Sequence, residues 1–543
     1  MKFDREQDTS FLRGAAQSLQ VENSRLRAER AGLLAQAADL EAKLLAARED
    51  ATRLQEEKAR LEQELRLLQE QLDRRLRELY GRKSERRPTD ETAAPGEEPP
   101  ADGEPAAAKE APPRKPRRGH GPTRQPRLPV VTVVNQLAGD GLICKHCGGT
   151  LTPLGQEAEE AELIAIEQRR IVLERHLRCK YHCDSCHTGV EVAPGPVKPV
   201  PGGRYSLSFA VEVAYQKYFA HLPLERQVQI MRHEGLVVTT ATLFDQIDAL
   251  ATALSSTYQA IWAALQKERV LRADETPWDV LSNGHNENKR FYAWVAVGPR
   301  SVAFRLLDTR SKEGAAKILG DFNGTLMVDG LTSYPAAAKT PEGEAPRFTV
   351  ANCNVHSRRK FVECEAHYPE ESRFALEMYR KIYEVEREGK EPGADLAALR
   401  NERSRPLMDQ LFAWAREQQA RPDLLPESGL AKALGYLINH EVGLRVFLDD
   451  PAVPADNNES ERALRGPIVG RKNYYCSRSA RGTEVAAILY TLVESAKIVG
   501  APPRAYLEAA AEHALRKAGA VLLPEEFKRQ LDEAAATLAP PPG

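Results

Sequence analysis

Apolar residues recur every seven positions over the first part of the chain. Leu12, Leu19, Leu26, Leu33, Leu40, Leu54, Leu61 and Leu68 share one register, interrupted only by Ala47. Four residues after each stand Ala16, Asn23, Arg30, Ala37, Leu44, Ala51, Lys58, Leu65, Leu72 and Leu79. With leucine at d, these are the a positions of a coiled coil, and an asparagine at a favours a defined register, commonly a parallel dimer. The pattern predicts a leucine-zipper coiled coil over residues 10–87, pairing the chain into a homodimer or higher oligomer. The alternative is one long amphipathic helix docking on its own protein.

After Gly81 the pattern stops. Residues 88–128 are rich in Pro, Ala and charge and predict a disordered linker. Residues 129–200 contain short β-type runs, with Leu163 to Leu177 reading as hairpin material. Residues 201–268 read as helices. One opens at Leu222-Pro-Leu-Glu-Arg-Gln227, Gly235 interrupts it, and another opens at Thr240, which fits a helix-turn-helix and plain packing helices equally.

From Val270 strands dominate. Val270–Ala273 runs into Asp274, Arg290–Val297 and Ser301–Leu307 form a hairpin around Gly298-Pro299, and Lys312–Phe322 reads as a helix. Thr325–Val328 then runs into Asp329, and Phe348–Asn352 is a further strand. Three antiparallel strands followed by helix–strand–helix–strand is the order of a ribonuclease-H-like α/β core, placed at 269–500. In that fold an Asp on the first strand and a carboxylate after the fourth approach each other across the sheet. Residues of about 360–450 are helical, with Phe374, Tyr379, Tyr383 and Trp414, and predict a helical insertion. Residues 501–543 make a C-terminal helical tail. The predicted class is multidomain α+β.

Composition adds limits. A chain of 543 residues is too long for one ordinary core. It has no apolar run of the ~18 residues needed to span a bilayer, and its charged N-terminus is followed by no apolar signal segment. The expected location is the cytoplasm, associated with the nucleoid. The net charge of −2 conceals a cationic arm: Arg114, Lys115, Arg117, Arg118, Arg124 and Arg127 fall within fourteen residues that contain no acid. Such an arm suits a phosphate backbone.

Eight cysteines in this setting point to metal rather than disulfides. Cys144-Lys-His-Cys147 and Cys183-Asp-Ser-Cys186 are two knuckles, each able to offer two thiolates to one tetrahedral Zn2+. The 35 residues between them exceed the usual separation, and Cys179, His146, His182 and His187 are substitutes for a ligand.

Three acids carry the candidate chemistry: Asp274, Asp329 and Glu461. Converging carboxylates repel one another unless divalent cations occupy the site, and oxygen ligands suit Mg2+ or Mn2+. Glu275 and Asp279 read as exposed or structural. Asp456 with Glu459 reads as a capping box. Glu461 lies roughly 200° round the helix from Glu459, so the two cannot enter one site. Arg462, Arg465, Arg471 and Lys472 follow where phosphates would approach, and His356, Arg358 and Arg359 follow the last strand as further DNA-binding candidates.

The chain resembles transposases of the insertion sequence 66 family. The resemblance rests on Leu79-Tyr-Gly-Arg-Lys-Ser-Glu85, the cysteine knuckles, Leu222–Gln227, Asp274-Glu-Thr-Pro and Val328-Asp329-Gly-Leu-Thr-Ser-Tyr. It continues through His356-Ser-Arg-Arg-Lys-Phe, Asp456-Asn-Asn-x-x-Glu461-Arg-Ala-Leu-Arg and Gly470-Arg-Lys-Asn473. It implies DDE-type transposition of DNA with Asp274, Asp329 and Glu461 as metal ligands, at transposon ends and target, alongside accessory proteins of the same element. The family has an aromatic residue and Ala where this chain has Asn354-Val355, and commonly Trp where it has Tyr474-Tyr475-Cys476. The alternatives are a catalytically silent, transposase-derived DNA-binding protein and a scaffold without a DNA role. The filled acidic positions argue against the first, and the second leaves the triad unexplained.

Overall fold

The computed structural model describes residues 5–80, 171–182, 190–281, 289–341 and 344–538. The chain divides into two units, one formed by residues 1–81 and 171–543 and the other by residues 82–170. The second unit lies outside the described residues, so the cationic arm and Cys144, His146 and Cys147 do as well; Cys183, Cys186 and His187 also fall outside them. Cys179 is an exposed free thiol just before the first strand. No helix among the described residues is long and apolar enough to cross a membrane.

The heptad segment is one helix, α1 (Arg5–Tyr80). The leucines of its d register are 53–65 % exposed, so this stripe is left uncovered among the described residues. Residues 66–73 nevertheless dock on the body. Buried Glu70 accepts hydrogen bonds from the Tyr368 hydroxyl and the Gly429 N–H, both at 2.7 Å. The Arg66 guanidinium lies over the Tyr368 ring, and Asp73 pairs with His367 at 3.0 Å. Arg66, Glu70 and Asp73 occupy heptad positions b, f and b, roughly 150° round the helix from the leucine stripe. One flank of the segment therefore docks on the chain itself, as the second reading has it, and the leucine stripe stays exposed among the described residues.

A small antiparallel pair follows, β1 (Lys180–His182) and β2 (Val190–Val192). Four helices come next: α2 (Leu207–Tyr218), α3 (Leu224–His233), α4 (Thr240–Ala253) and α5 (Ser255–Leu265). The Ser206 and Thr239 hydroxyls cap α2 and α4, accepting from Phe209 N and Thr242 N. Gly235 adopts a φ of 90°, a conformation glycine reaches without strain, and turns the chain between α3 and α4. Leu243, Ile247, Leu250 and Ala251 of α4 are buried in the main core, so that face of the helix packs against protein.

The sheet contains β3 (Val270–Val280), β4 (Lys289–Val297), β5 (Val302–Leu307), β6 (Thr325–Val328) and β7 (Thr349–Asn352) in the order β5-β4-β3-β6-β7. The pairs β3–β4 and β4–β5 are antiparallel, whereas β6 and β7 run parallel to β3. Short helices α6 (Lys312–Leu319) and α7 (Ser333–Ala338) make the crossovers. Beyond β7 come α8 (Asn354–Cys364), α9 (Pro369–Glu388), α10 (Leu396–Leu399), α11 (Arg405–Gln419), α12 (Gly429–Asn439) and α13 (Glu441–Arg445). The chain ends in α14 (Asn458–Tyr474), α15 (Ala480–Ile498), α16 (Pro503–Arg516) and α17 (Pro524–Leu538).

Two cores sandwich the sheet. Leu326 and Val328 join α2–α5 and α15–α17 in one, while Met327 and Ala351 join α8, α9, α11, α12 and α13 in the other, as side-chain alternation along a strand requires. The β5 edge would leave backbone groups unpaired. Buried α15 covers it with hydroxyls: Ser495 Oγ accepts from Val302 N and donates to Val302 O, and Thr491 Oγ1 accepts from Phe304 N at 2.9 Å.

Candidate metal centre

The site begins with register. Arg272 of β3 pairs with Met327 of the parallel strand β6, so two residues further along each strand Asp274 and Asp329 come side by side. Asp274 is not at a strand end, as expected from sequence, because β3 continues to Val280 and Asp274 sits opposite Val295 of β4. Asp329 does leave the end of β6. Its Oδ1 accepts from Leu331 N at 3.0 Å, and its carbonyl accepts from Asn352 Nδ2 at 2.7 Å, so both ends of this residue are held. One carboxylate oxygen each from Asp274, Glu275 and Asp329 lie within 4.8 Å of one another.

The clustering has an electrostatic consequence. Burial, then the charges of Glu275, Asp329 and Glu461, push the Asp274 carboxyl up to about 8. A divalent cation among these oxygens reverses the balance, because it favours the ionised form.

Glu275 is structural, as one of the two sequence readings had it, and it is buried rather than exposed. Its Oε1 accepts from Arg310 at 2.7 and 3.0 Å, and its Oε2 accepts from the Tyr334 hydroxyl at 2.9 Å. Both oxygens are therefore engaged. Burial raises its carboxyl and the Arg310 bond opposes the rise. Asp279 is exposed.

Glu461 stands in the first turn of α14. Its Oε1 is buried without a hydrogen-bond partner, 3.7 Å from His356 Nε2 and 4.0 Å from an Arg359 nitrogen. Burial and then Arg359 lower the His356 pKa, against the pull of Glu461 and Asp329, so the imidazole is neutral near pH 7. Glu459 goes elsewhere and pairs with Arg272 at 2.7 Å. The helix start also differs from the expected capping box. Asn457 is the N-cap residue, and Asp456 Oδ1 instead accepts from Asn458 N at 3.1 Å.

The remaining candidates separate by partner. Arg471 donates to Thr276 Oγ1 at 2.8 Å and to the Pro277 carbonyl, tying α14 to β3. Arg462, Arg465 and Lys472 are exposed on the outer side of α14 together with Val469. Arg358 and Arg359 lie on α8 beside His356.

Sequence reasoning passed over three residues that shape the centre. Asn352 closes β7 and holds Asp329. Asn457 is wholly buried and donates to the Ala273 carbonyl at 2.9 Å. Tyr436 of α12 packs on the turn after Asp329, where a Cβ on Gly330 would lie 2.7 Å from its ring. The Asp-Asn-Asn run hinted at Asn457, whereas an aromatic residue inside a helical stretch carries no such signal.

The donor set fits a hard divalent cation. It offers only carboxylate oxygens, those of Asp274, Glu275 and Asp329 lie within 4.8 Å of one another, and Glu461 presents a buried oxygen that accepts no hydrogen bond among the described residues.

Comparison with known proteins agrees with this architecture. The family profile described as "Transposase IS66 family" matches residues 202–485, which span β3 to β7 and Glu461. A second, described as "Transposase C of IS166 homeodomain", matches residues 67–133. Among relatives, the uncharacterized protein y4jD of Sinorhizobium fredii is 30 % identical over 72 % of this chain and 77 % of its own length. The uncharacterized protein y4hP of the same organism is 28 % identical over 71 % of this chain and 73 % of its own. The strand-borne aspartates, the helix-borne glutamate and these matches lead to one statement: the chain belongs to the IS66 family of transposases.

Proposed function

We propose that this chain is a DNA transposase that binds the terminal repeats of its insertion sequence and carries out metal-dependent cleavage and strand transfer. The observation that carries the reading is Asp274 beside Asp329, their carboxylate oxygens within 4.8 Å of each other, with Glu461 in the first turn of α14, the helix fastened to β3 by Asn457. The strand order, antiparallel through β5-β4-β3 and parallel through β3-β6-β7, supports a ribonuclease-H-like core.

Asp274, Asp329 and Glu461 would hold Mg2+ or Mn2+. The bound ions supply Lewis-acid stabilisation of charge developing on phosphate oxygens and lower the pKa of the attacking hydroxyl. The protein groups do the rest. Asn352 and Leu331 N hold Asp329 in place, and Asn457 holds the start of α14 against β3. Neutral His356 and Arg359 border Glu461, where they offer donors to the scissile phosphate. In-line attack then forms one P–O bond and breaks another, with the leaving 3′-oxygen taking a proton.

Arg462, Arg465 and Lys472 form an exposed basic stripe suited to the DNA backbone, and the arm at Arg114, Lys115, Arg117 and Arg118 is a second candidate for it. A zinc unit on Cys144, Cys147, Cys183 and Cys186, the basic arm and the helices of 206–265 would bind the terminal repeats, and the leucine seam would pair two subunits so that two ends are handled together. The test is Mg2+-dependent cleavage and strand transfer on element-end DNA. Loss of both reactions in Asp274→Ala, Asp329→Ala and Glu461→Ala, with retention in Glu459→Ala, is the expected result. DNA binding without any cleavage by the unaltered chain would instead establish a silent derivative.

A further inference from the structure

The helical segment between β7 and α14 borders Glu461 through His356 and Arg359 of α8, and through Tyr436 of α12 it reaches the turn after Asp329. The Tyr436 ring stacks on His440 at 4.3 Å between centroids, and the His440 Nδ1 lies 2.8 Å from the Tyr436 carbonyl. The far end of the ring meets the turn after Asp329. A Cβ on Gly330 would stand 2.7 Å from ring Cε2 and 2.9 Å from the hydroxyl oxygen, so only glycine leaves room for the tyrosine. That hydroxyl is buried and has no hydrogen-bond partner among the described residues. A dry, unpaired hydroxyl costs stability that phenylalanine would not incur.

An acceptor stands nearby. Asp329 uses Oδ1 for the Leu331 N–H, and no hydrogen bond engages its other carboxylate oxygen among the described residues. Gly330 follows Asp329 directly, so the Tyr436 hydroxyl packs one residue from that carboxylate. Ligating carboxylates are oriented by hydrogen bonds from neighbouring residues.

We propose that Tyr436 is a positioning residue for Asp329: its hydroxyl donates to the free Asp329 oxygen when the carboxylate turns to meet a divalent cation. The inference rests on the metal reading above and gives the helical segment a part in the active centre. Tyr436 itself need not touch DNA.

The test measures Mn2+ binding to the full-length protein by calorimetry, together with thermal melting in EDTA, for wild type, Asp329→Asn, Tyr436→Phe and Gly330→Ala. Tyr436→Phe keeps the ring and its packing, so its metal-free melting temperature should equal or exceed that of wild type. Its Mn2+ affinity should fall about tenfold or more. Gly330→Ala, which pushes the ring off the turn, should lose affinity in the same direction. Wild-type affinity in a stable Tyr436→Phe protein overturns the proposal while leaving the centre intact. Mn2+ binding that ignores Asp329→Asn overturns the centre itself, and the role of Tyr436 with it.

Discussion

Asn457 donates from Nδ2 to the carbonyl of Ala273, the residue immediately before Asp274. The helix carrying Glu461 is thus fastened to the strand carrying Asp274 by one side chain at the junction of the two. Asn457→Ala leaves a buried carbonyl unpaired and should cost about 1–3 kcal/mol in denaturant unfolding. Strand transfer should fall further than stability does, since the spacing of the two acids changes. A variant with unchanged stability and unchanged activity would show the fastening to be dispensable.

Asp274 links the centre to pH. Its carboxyl rises from 3.8 to about 8 in the metal-free fold, so the folded chain holds a proton that the unfolded chain releases. The contribution to stability is full below the unfolded value and is lost as pH rises through about 8. Metal-free protein should therefore melt at lower temperature at the alkaline end of this window, and added Mg2+ should stabilise it most there. Asp274→Asn should flatten the metal-free profile. Thermal melts in EDTA and in Mg2+ across the window check the sign.

Arg310 matters for a different reason. Glu275 has a side chain only 1 % exposed, and Arg310 is its sole cationic partner among the described residues. Arg310→Ala should cost on the order of 2 kcal/mol at neutral pH, less than a fully buried pair because Arg310 is half exposed. Since burial already raises Glu275, the penalty should shrink in acid as the carboxyl takes a proton. Chemical denaturation at two pH values decides this.

Opposite faces of α1 should respond separately. Leu61→Glu with Leu68→Glu should yield monomers in light scattering, because these leucines lie on the open seam. Glu70→Ala should leave the oligomer intact and expose the segment around Tyr368 to protease, since the Tyr368 hydroxyl and Gly429 N–H lose their acceptor.

Much of the sheet was legible because its strands are short apolar runs bounded by Gly, Pro or Asp. The expected Arg290–Val297 and Thr325–Val328 differ from β4 and β6 by one residue at most. The continuation of β3 was hidden by Asp-Glu-Thr-Pro, a run with turn chemistry. The partner strand overrides it: β4 is long enough to pair with every residue to Val280, and Arg471 takes the Pro277 carbonyl. The role of Glu275 was equally hidden, because its partners Arg310 and Tyr334 lie 35 and 59 residues away. Asp329 was readable because an acid following an apolar strand breaks the local pattern. Tyr436 was not, because an aromatic residue at helical spacing looks like any core residue until the fold sets it against Gly330.

The two flanks of α1 have a consequence for how the protein assembles. Docking uses a flank other than the leucine seam, so the proposed pairing of two subunits would not require α1 to release the body. Seventy-six helical residues make a rod of about 114 Å, fixed at one end through Glu70 rather than swinging on a tether. Any pairing along the seam would then be transmitted as a fixed orientation of the body that carries the acidic cluster.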